Sequence, residues 1–147
     1  MSRRYFSLEQ AQGLLPEVGR LVRAARESRD QMAEGGLALA RLVGRIEMMG
    51  GIDLDPVRES RLMKERRNAL DELKDTMESL ELLGVEVTDL DSGMVDFPTQ
   101  YRGGEACLNW RLGEHEIRFW RTAGEAPWVR KQINPDFLTS HSGGPVH

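Results

Sequence analysis

Residues 84–121 read GVEVTDLDSGMVDFPTQYRGGEACLNWRLGEHEIRFWR, the part of the sequence with the pattern of a β-sheet. Successive side chains of a strand point to opposite faces, and this stretch alternates with a period of two. The apolar face of its central segment is Ala106, Leu108, Trp110 and Leu112, and the opposite face is Cys107, Asn109 and Arg111. Helical patterns precede this stretch, so we take it as the element around which the chain folds.

The next segment, residues 116–120, continues the alternation. Its apolar set is Ile117 and Phe119, against Glu116, Arg118 and Trp120. A loop with an even number of residues within 113–116 aligns the two apolar sets on one face, so we predict a hairpin with Trp110 near Ile117 or Phe119. A three-residue loop would instead place Trp110 opposite Arg118.

Two shorter apolar segments predict further strands. They are residues 85–88 and 94–97, and the turn-forming residues at 91–93 and 102–104 separate them from their neighbours. Together these segments predict a small antiparallel β-meander over residues 84–122.

Composition and charge narrow the class of protein. The chain has 147 residues, of which 39% are hydrophobic and 30% charged, as expected for one soluble domain with a core. Residues 1–83 carry 14 Lys/Arg and 15 Asp/Glu, and residues 84–147 carry 6 and 9. Neither part has the basic excess of a nucleic-acid-binding protein. The single cysteine, Cys107, and the lack of a membrane-length apolar run predict a cytoplasmic protein without a membrane partner.

The first helix begins near the N-terminus. Ser7 and Gln10 form a capping-box pattern, so we expect the helix to begin at Leu8. A proline inside a helix removes one hydrogen bond, and Pro16 follows Gly13 closely. We therefore predict a short helix over residues 8–12 and a long one from Pro16, with a single kinked helix as the alternative.

Apolar residues then recur every three or four positions, which is typical of a helix with one apolar stripe. The first stripe is Leu15, Val18, Val22, Ala25, Met32, Leu39, Val43 and Ile46, and the second is Met63, Leu70, Leu73, Met77 and Leu80. The first stripe keeps its phase across Gly35-Gly36, which predicts one continuous helix there. These glycines either allow close approach of another helix or act as a hinge.

The connection between the two stripes is short, so the helices should be antiparallel neighbours over residues 16–49 and 56–83. The first helix overhangs the second at its N-terminal end, and the apolar sheet face can cover that overhang. We predict an α+β fold with a long antiparallel helical hairpin (arm, 8–83), followed by the small β-meander packed on its N-terminal end. Residues 1–133 form a single domain, and 134–147 a flexible tail.

A two-helix arm buries one seam and leaves its flanks exposed. The apolar flank residues are Leu37, Leu42, Leu62 and Ala69. The arm of a second copy could cover them in a four-helix, coiled-coil-like bundle, so we predict a homodimer.

Candidate ligand-binding residues lie on the polar face of the sheet. They are Asp96, Arg111, Glu114, Arg118 and Trp120. Asp96 could bind an arginine or a ligand, although a structural salt bridge or turn cap explains it as well. The ring of Trp120 beside two arginines could stack a ligand or peptide, or pack against the segment around Trp128.

Metal and cofactor sites are not indicated. Glu114-His115-Glu116 resembles a ligand cluster, but an exposed turn gives the same pattern, and no second His/Cys pair is near in sequence. Cys107 has no paired histidine, which favours a passive thiol. We predict no metal and no cofactor.

Three motifs also carry a resemblance. FSLEQAQGLLPEV (6–18), GVEVTDLDSGMVDFP (84–98) and LNWRLGEHEIRFWR (108–121) are similar to a bacterial family known as domain of unknown function 2203, over about residues 5–131. The resemblance implies a helical arm, a compact C-terminal part and no established activity. Family members tend to carry cysteine in place of Asn109 and histidine in place of Arg121. Those departures argue against a metal site here, as does the alternation, which predicts opposite faces for positions 109 and 121.

Two functions are consistent with these patterns. The first is a homo-oligomeric interaction module that docks a protein or ligand. The second is a small-molecule-binding or enzymatic protein with a polar pocket around Asp96, Arg111, Glu114 and Arg118. The sequence contains no complete catalytic set, which favours the first, and a concave pocket joining those four residues would favour the second.

Overall fold

The computed structural model describes residues 3–52 and 55–144. Its elements are α1 (Leu8–Met48), α2 (Pro56–Leu83), β1 (Glu86–Asp89), β2 (Met94–Tyr101), β3 (Gly104–Arg111), β4 (Phe119–Thr122), β5 (Lys131–Gln132), α3 (Pro135–Ser140) and β6 (His141–Ser142). The chain has the predicted α+β fold. It divides into two compact units, Ala24–Met77 (the arm unit) and the remainder of the chain (the sheet unit).

Helix α1 is continuous through Pro16, so the prediction of a separate helix over residues 8–12 is wrong. The predicted capping box is confirmed: Ser7 Oγ accepts from Gln10 N at 3.1 Å, and Gln10 Oε1 accepts from Ser7 N at 2.9 Å. Val18 and Val22, just after the proline, are fully buried. Their burial stabilises the helix and outweighs the one hydrogen bond that a proline removes.

In the arm unit, α1 also continues through Gly35-Gly36, as predicted. A Cβ on Gly35 would lie 3.5 Å from Cβ of Arg66, in ordinary van der Waals contact. The glycines therefore allow α2 to approach α1 closely, which is one of the two roles that the sequence suggested.

The seam of the arm unit differs from the predicted one. Leu42 and Ala69, expected on the flanks, are 6% and 3% exposed, whereas Val43 and Met63, expected in the stripes, are 43% and 49% exposed. Small residues such as Gly35 and Ala69 allow the two helices to approach most closely along the helix faces on which these residues lie. The line of contact therefore passes beside the bulkier stripe residues.

The sheet is antiparallel with the order β1-β2-β3-β4-β5, and β6 pairs with the outer edge of β2. The two-residue turn Arg102-Gly103 joins β2 to β3, with φ angles of 49° and 78°. Positive φ at both positions matches the right-handed twist of the hairpin.

The register of β3 with β4 differs from the predicted one. Leu108 lies opposite Trp120 and Asn109 opposite Phe119, so an odd number of residues, 110–118, separates the last pair, whereas we predicted an even-numbered loop. Hydrogen bonds outside the hairpin explain this course. Ile117 N donates to Gln12 Oε1 of α1 at 2.8 Å, which draws the connection toward the helix.

One face of the sheet packs on the N-terminal part of α1, as predicted. Val95, Phe97 and Leu108 on this face are fully buried. Phe6, two residues before the start of α1, packs edge to face on Phe97 at a centroid distance of 5.4 Å. This apolar layer is the core of the sheet unit.

The structure differs from the flexible tail that we expected after residue 133. Asn134 Oδ1 accepts from Phe137 N at 2.8 Å and caps α3. Phe137 is fully buried, with Tyr101 and Trp120 at ring-centroid distances of 5.3 and 4.6 Å. One large aromatic residue therefore orders a segment whose average composition is polar. Residues 145–147 lie outside the described part.

Among the described residues, no helix combines the length and the apolar character needed to cross a membrane.

Candidate functional site

The polar face of the sheet brings together side chains from β2, β3 and β4. Asp96 is the register partner of Asn109, and Arg121 is the partner of Cys107. Partners across a ladder share a face, so Asp96, Asn109 and Arg121 point to the same side. The prediction that positions 109 and 121 lie on opposite faces is wrong, because it assumed an even number of residues between β3 and β4.

A buried ion pair lies at the centre of this face. Arg121 donates from Nη1 to Asp96 Oδ1 at 2.8 Å and from Nη2 to Oδ2 at 2.5 Å. The side chain of Asp96 is 0% exposed and that of Arg121 8% exposed. This two-pronged geometry is the strongest way in which an arginine binds a carboxylate.

Asn109 extends the pair toward the loop that precedes β5. Its Nδ2 donates to Asp96 Oδ1 at 2.9 Å, and its Oδ1 accepts from Arg130 Nε at 2.6 Å. Arg130 Nη2 then donates to Glu114 Oε1 at 2.5 Å, and its guanidinium lies 4.0 Å from the ring centroid of Phe119. We call this chain of five side chains (Arg121, Asp96, Asn109, Arg130 and Glu114) the polar ladder.

The charges of the polar ladder are balanced. Two arginines face two carboxylates, with the neutral Asn109 between them. The hydrogen bonds to Asp96 raise the pKa of Arg121 above its ordinary value, so the guanidinium keeps its charge. An arginine forms an ion pair with each carboxylate. This arrangement is better suited to holding residues 114 and 130 against the sheet than to transferring protons.

Three further observations bear on chemistry at this face. Within residues 3–52 and 55–144, Arg121 Nε is the one buried side-chain nitrogen or oxygen without a hydrogen-bond partner. The same residues contain no group of three His, Cys, Asp or Glu side chains that could hold a metal ion. Burial raises the pKa of the Cys107 thiol to about 11, which leaves it protonated and unreactive at neutral pH.

The sequence profile of a protein family matches residues 4–133, and that family is described as an uncharacterized conserved protein, DUF2203. The chain belongs to this family. No curated protein and no solved structure matches the chain. Membership in DUF2203 agrees with the resemblance of the three sequence motifs.

The structure of this DUF2203 chain brings some of the five predicted site residues together, and Arg111 N donates to Glu114 Oε1 at 2.7 Å. Asp96 and Glu114 belong to the polar ladder, whereas Arg118 bonds Glu116 at 3.0 Å on the surface. Among the described residues, no hydrogen bond or ion pair links Arg118 to Asp96, Arg111 or Glu114. A ligand site formed by these residues stays a prediction.

Trp120 is not on the polar face of the DUF2203 sheet, where we expected it. It is the register partner of Leu108 and is 8% exposed, and it packs against Tyr101 and Phe137. Its ring therefore lies on the opposite face from Arg111, and Lys131 Nζ lies 4.0 Å from its centroid. The expected combination of Trp120 with Arg111 on one face is wrong, again because the hairpin register differs.

Sequence reasoning missed three members of the polar ladder, namely Asn109, Arg121 and Arg130. Asn109 lies between the apolar residues Leu108 and Trp110, and Arg121 directly follows Trp120. A correct register would have placed both Asn109 and Arg121 beside Asp96. Arg130 lies outside the alternating segments, and no local pattern marks it.

Proposed function

We propose that this protein is a homodimeric interaction module in which the arm unit, Ala24–Met77, pairs with the arm unit of a second copy. The supporting observation is the position of exposed apolar side chains. Seven of the ten large apolar side chains exposed among the described residues belong to this unit: Leu37, Val43, Met48, Met49, Ile52, Val57 and Met63. Apolar surface concentrated in this way usually marks an interaction site.

The interior of the arm unit is small. Its buried residues, among those that the structure describes, are Ala25, Ser28, Leu42 and Ala69. Two helices share a single seam, whereas a bundle of four buries a second face of each helix. Pairing with a second copy would therefore supply the interior that the arm unit lacks.

The distribution of charge supports an antiparallel arrangement of the two copies. Residues 37–67, the outer half of the arm unit, carry 7 Lys/Arg and 5 Asp/Glu, a net charge of +2. Residues 24–36 and 68–77, the inner half, carry 3 and 6, a net charge of −3. In a two-fold dimer of this kind, the outer half of each arm unit packs on the inner half of the other. Opposite net charges then face each other at both ends of the interface.

The mass of the protein in solution tests this proposal. Light scattering at micromolar concentration should give about twice the chain mass of 16.7 kDa. Replacing Leu37 and Met63 with glutamate should convert the dimer to a monomer, because both apolar side chains lie in the outer half. Leu82→Glu is the matched control, since Leu82 is 81% exposed but lies outside the arm unit. A parent protein with the mass of one chain would contradict the proposal.

A further inference from the structure

A groove lies between α1 and the connection that follows β3, inside the sheet unit. Its volume is about 390 Å³, within the range of small-ligand sites. Gln12, Pro16, Gly19 and Arg23 line the helical wall, and Trp110 and His115 line the opposite wall. The four helical residues are spaced by three or four positions and so lie on one face of α1.

Gly19 provides the space at the centre of the groove. A Cβ on Gly19 would lie 3.5 Å from Arg23 Nη1 and 3.5 Å from Trp110 Cη2. The guanidinium of Arg23 and the indole ring therefore approach the same point from two sides. Any side chain larger than a methyl group at position 19 would occupy the space between them.

The polar groups of the groove are donors without matching acceptors. The side-chain oxygen of Gln12 already accepts from Ile117 N, which leaves the amide NH₂ to face other partners. Among the described residues, Arg23 and His115 have no hydrogen-bond or ion-pair partner. Glu114, the carboxylate of the lining, is engaged by Arg130 Nη2 at 2.5 Å and by Arg111 N at 2.7 Å. The groove thus suits a ligand with a negative charge.

We propose that this groove binds a small aromatic carboxylic acid. The carboxylate accepts hydrogen bonds from Arg23 and His115, and the aromatic ring packs on Trp110 and Pro16. Arginine is the side chain best suited to a planar carboxylate, and an indole beside it offers apolar contact for the ring. This site is independent of the arm unit and adds ligand binding to the proposed interaction module.

Nuclear magnetic resonance of the ¹⁵N-labelled full chain tests the proposal, with phenylacetate as the probe. The reporter is the indole N–H of Trp110, which donates to Glu114 O at 2.9 Å and lies in the groove wall. Its resonance, assigned with Trp→Phe variants, should shift in a saturable way. The neutral analogue phenylacetamide should bind at least about tenfold more weakly, because hydrogen bonds to charged groups contribute more than neutral ones.

Matched variants separate recognition from general damage. Arg23→Gln should reduce phenylacetate affinity to that of the amide, and Gly19→Leu should abolish the shift. Arg20→Gln is the control, because Arg20 lies on the same helix but bonds Glu17 at the surface. A parent protein without a saturable shift, equal affinity for acid and amide, or unchanged affinity in Arg23→Gln would each overturn the proposal.

Discussion

Arg121 donates hydrogen bonds to Asp96 from both terminal nitrogens of its guanidinium, and the two side chains are almost completely buried. Taking two charges out of water is costly, and their mutual attraction offsets that cost only while both partners are present. The pair therefore makes the polar face of the sheet sensitive to the loss of either residue.

We predict that Asp96→Ala lowers the free energy of unfolding by roughly 3–5 kcal/mol, because it leaves the Arg121 charge buried without a partner. Urea denaturation of the parent and the variant measures this difference. The double variant Asp96→Leu/Arg121→Met should recover much of the loss, since an apolar pair has no charge to desolvate. Removing the exposed Arg118–Glu116 pair with Arg118→Gln should cost less than about 1 kcal/mol. Equal losses in Asp96→Ala and Arg118→Gln would contradict the buried pair.

The aromatic cluster around α3 gives a second prediction. Phe137→Ala should destabilise the protein by roughly 3–5 kcal/mol, because the ring is fully buried between Tyr101 and Trp120. Leu138→Ala, at a neighbouring position that is 47% exposed, should change stability far less. Thermal unfolding of both variants compares them. If the Phe137→Ala protein had the same melting temperature as the parent, residues 134–144 would not pack as described.

Cys107 predicts a dependence of stability on alkaline pH. The folded protein holds the thiol proton more tightly than the unfolded chain does, since burial raises the pKa from 9.0 to about 11. The contribution of the protonated thiol to the free energy of unfolding is present in full below pH 9 and is lost as the pH rises toward 11. The free energy of unfolding of the parent should therefore fall relative to that of Cys107→Ala over this interval. A constant difference between the two proteins would contradict the shifted pKa.

The antiparallel dimer predicts a dependence on salt. The opposite net charges of the outer and inner halves attract each other, and dissolved ions screen that attraction. The dissociation constant measured by sedimentation should rise when sodium chloride is raised from about 0.05 M to about 0.5 M. A parallel arrangement, with each outer half against the other, would give the reverse trend because its net charges are alike.

The helices and the central strand could be predicted because their signals are local. Apolar spacing predicted α2, whose predicted bounds 56–83 are the observed ones, and alternation placed Leu108 and Trp110 on one face. The hairpin register could not be predicted, because the bond from Ile117 N to Gln12 joins residues 105 positions apart. That single error moved Trp120 and Arg121 to the wrong faces. Arg130 was missed for a related reason: its partners, Asn109 and Glu114, come near it only in the folded chain.

The outer edge of β2 has a consequence for self-association through strands. Its first part is occupied by β1 and its last part by β6, and between them Phe6 N donates to the carbonyl of Pro98 at 2.7 Å. Proline has no backbone N–H, so this gap offers an incoming strand no donor. The strands left at the borders, β1, β5 and β6, have four, two and two residues, too few to template a long ladder. These features disfavour the addition of further strands to the sheet and so disfavour aggregation through strand pairing. Loss of β6 would expose the last part of the β2 edge to such pairing.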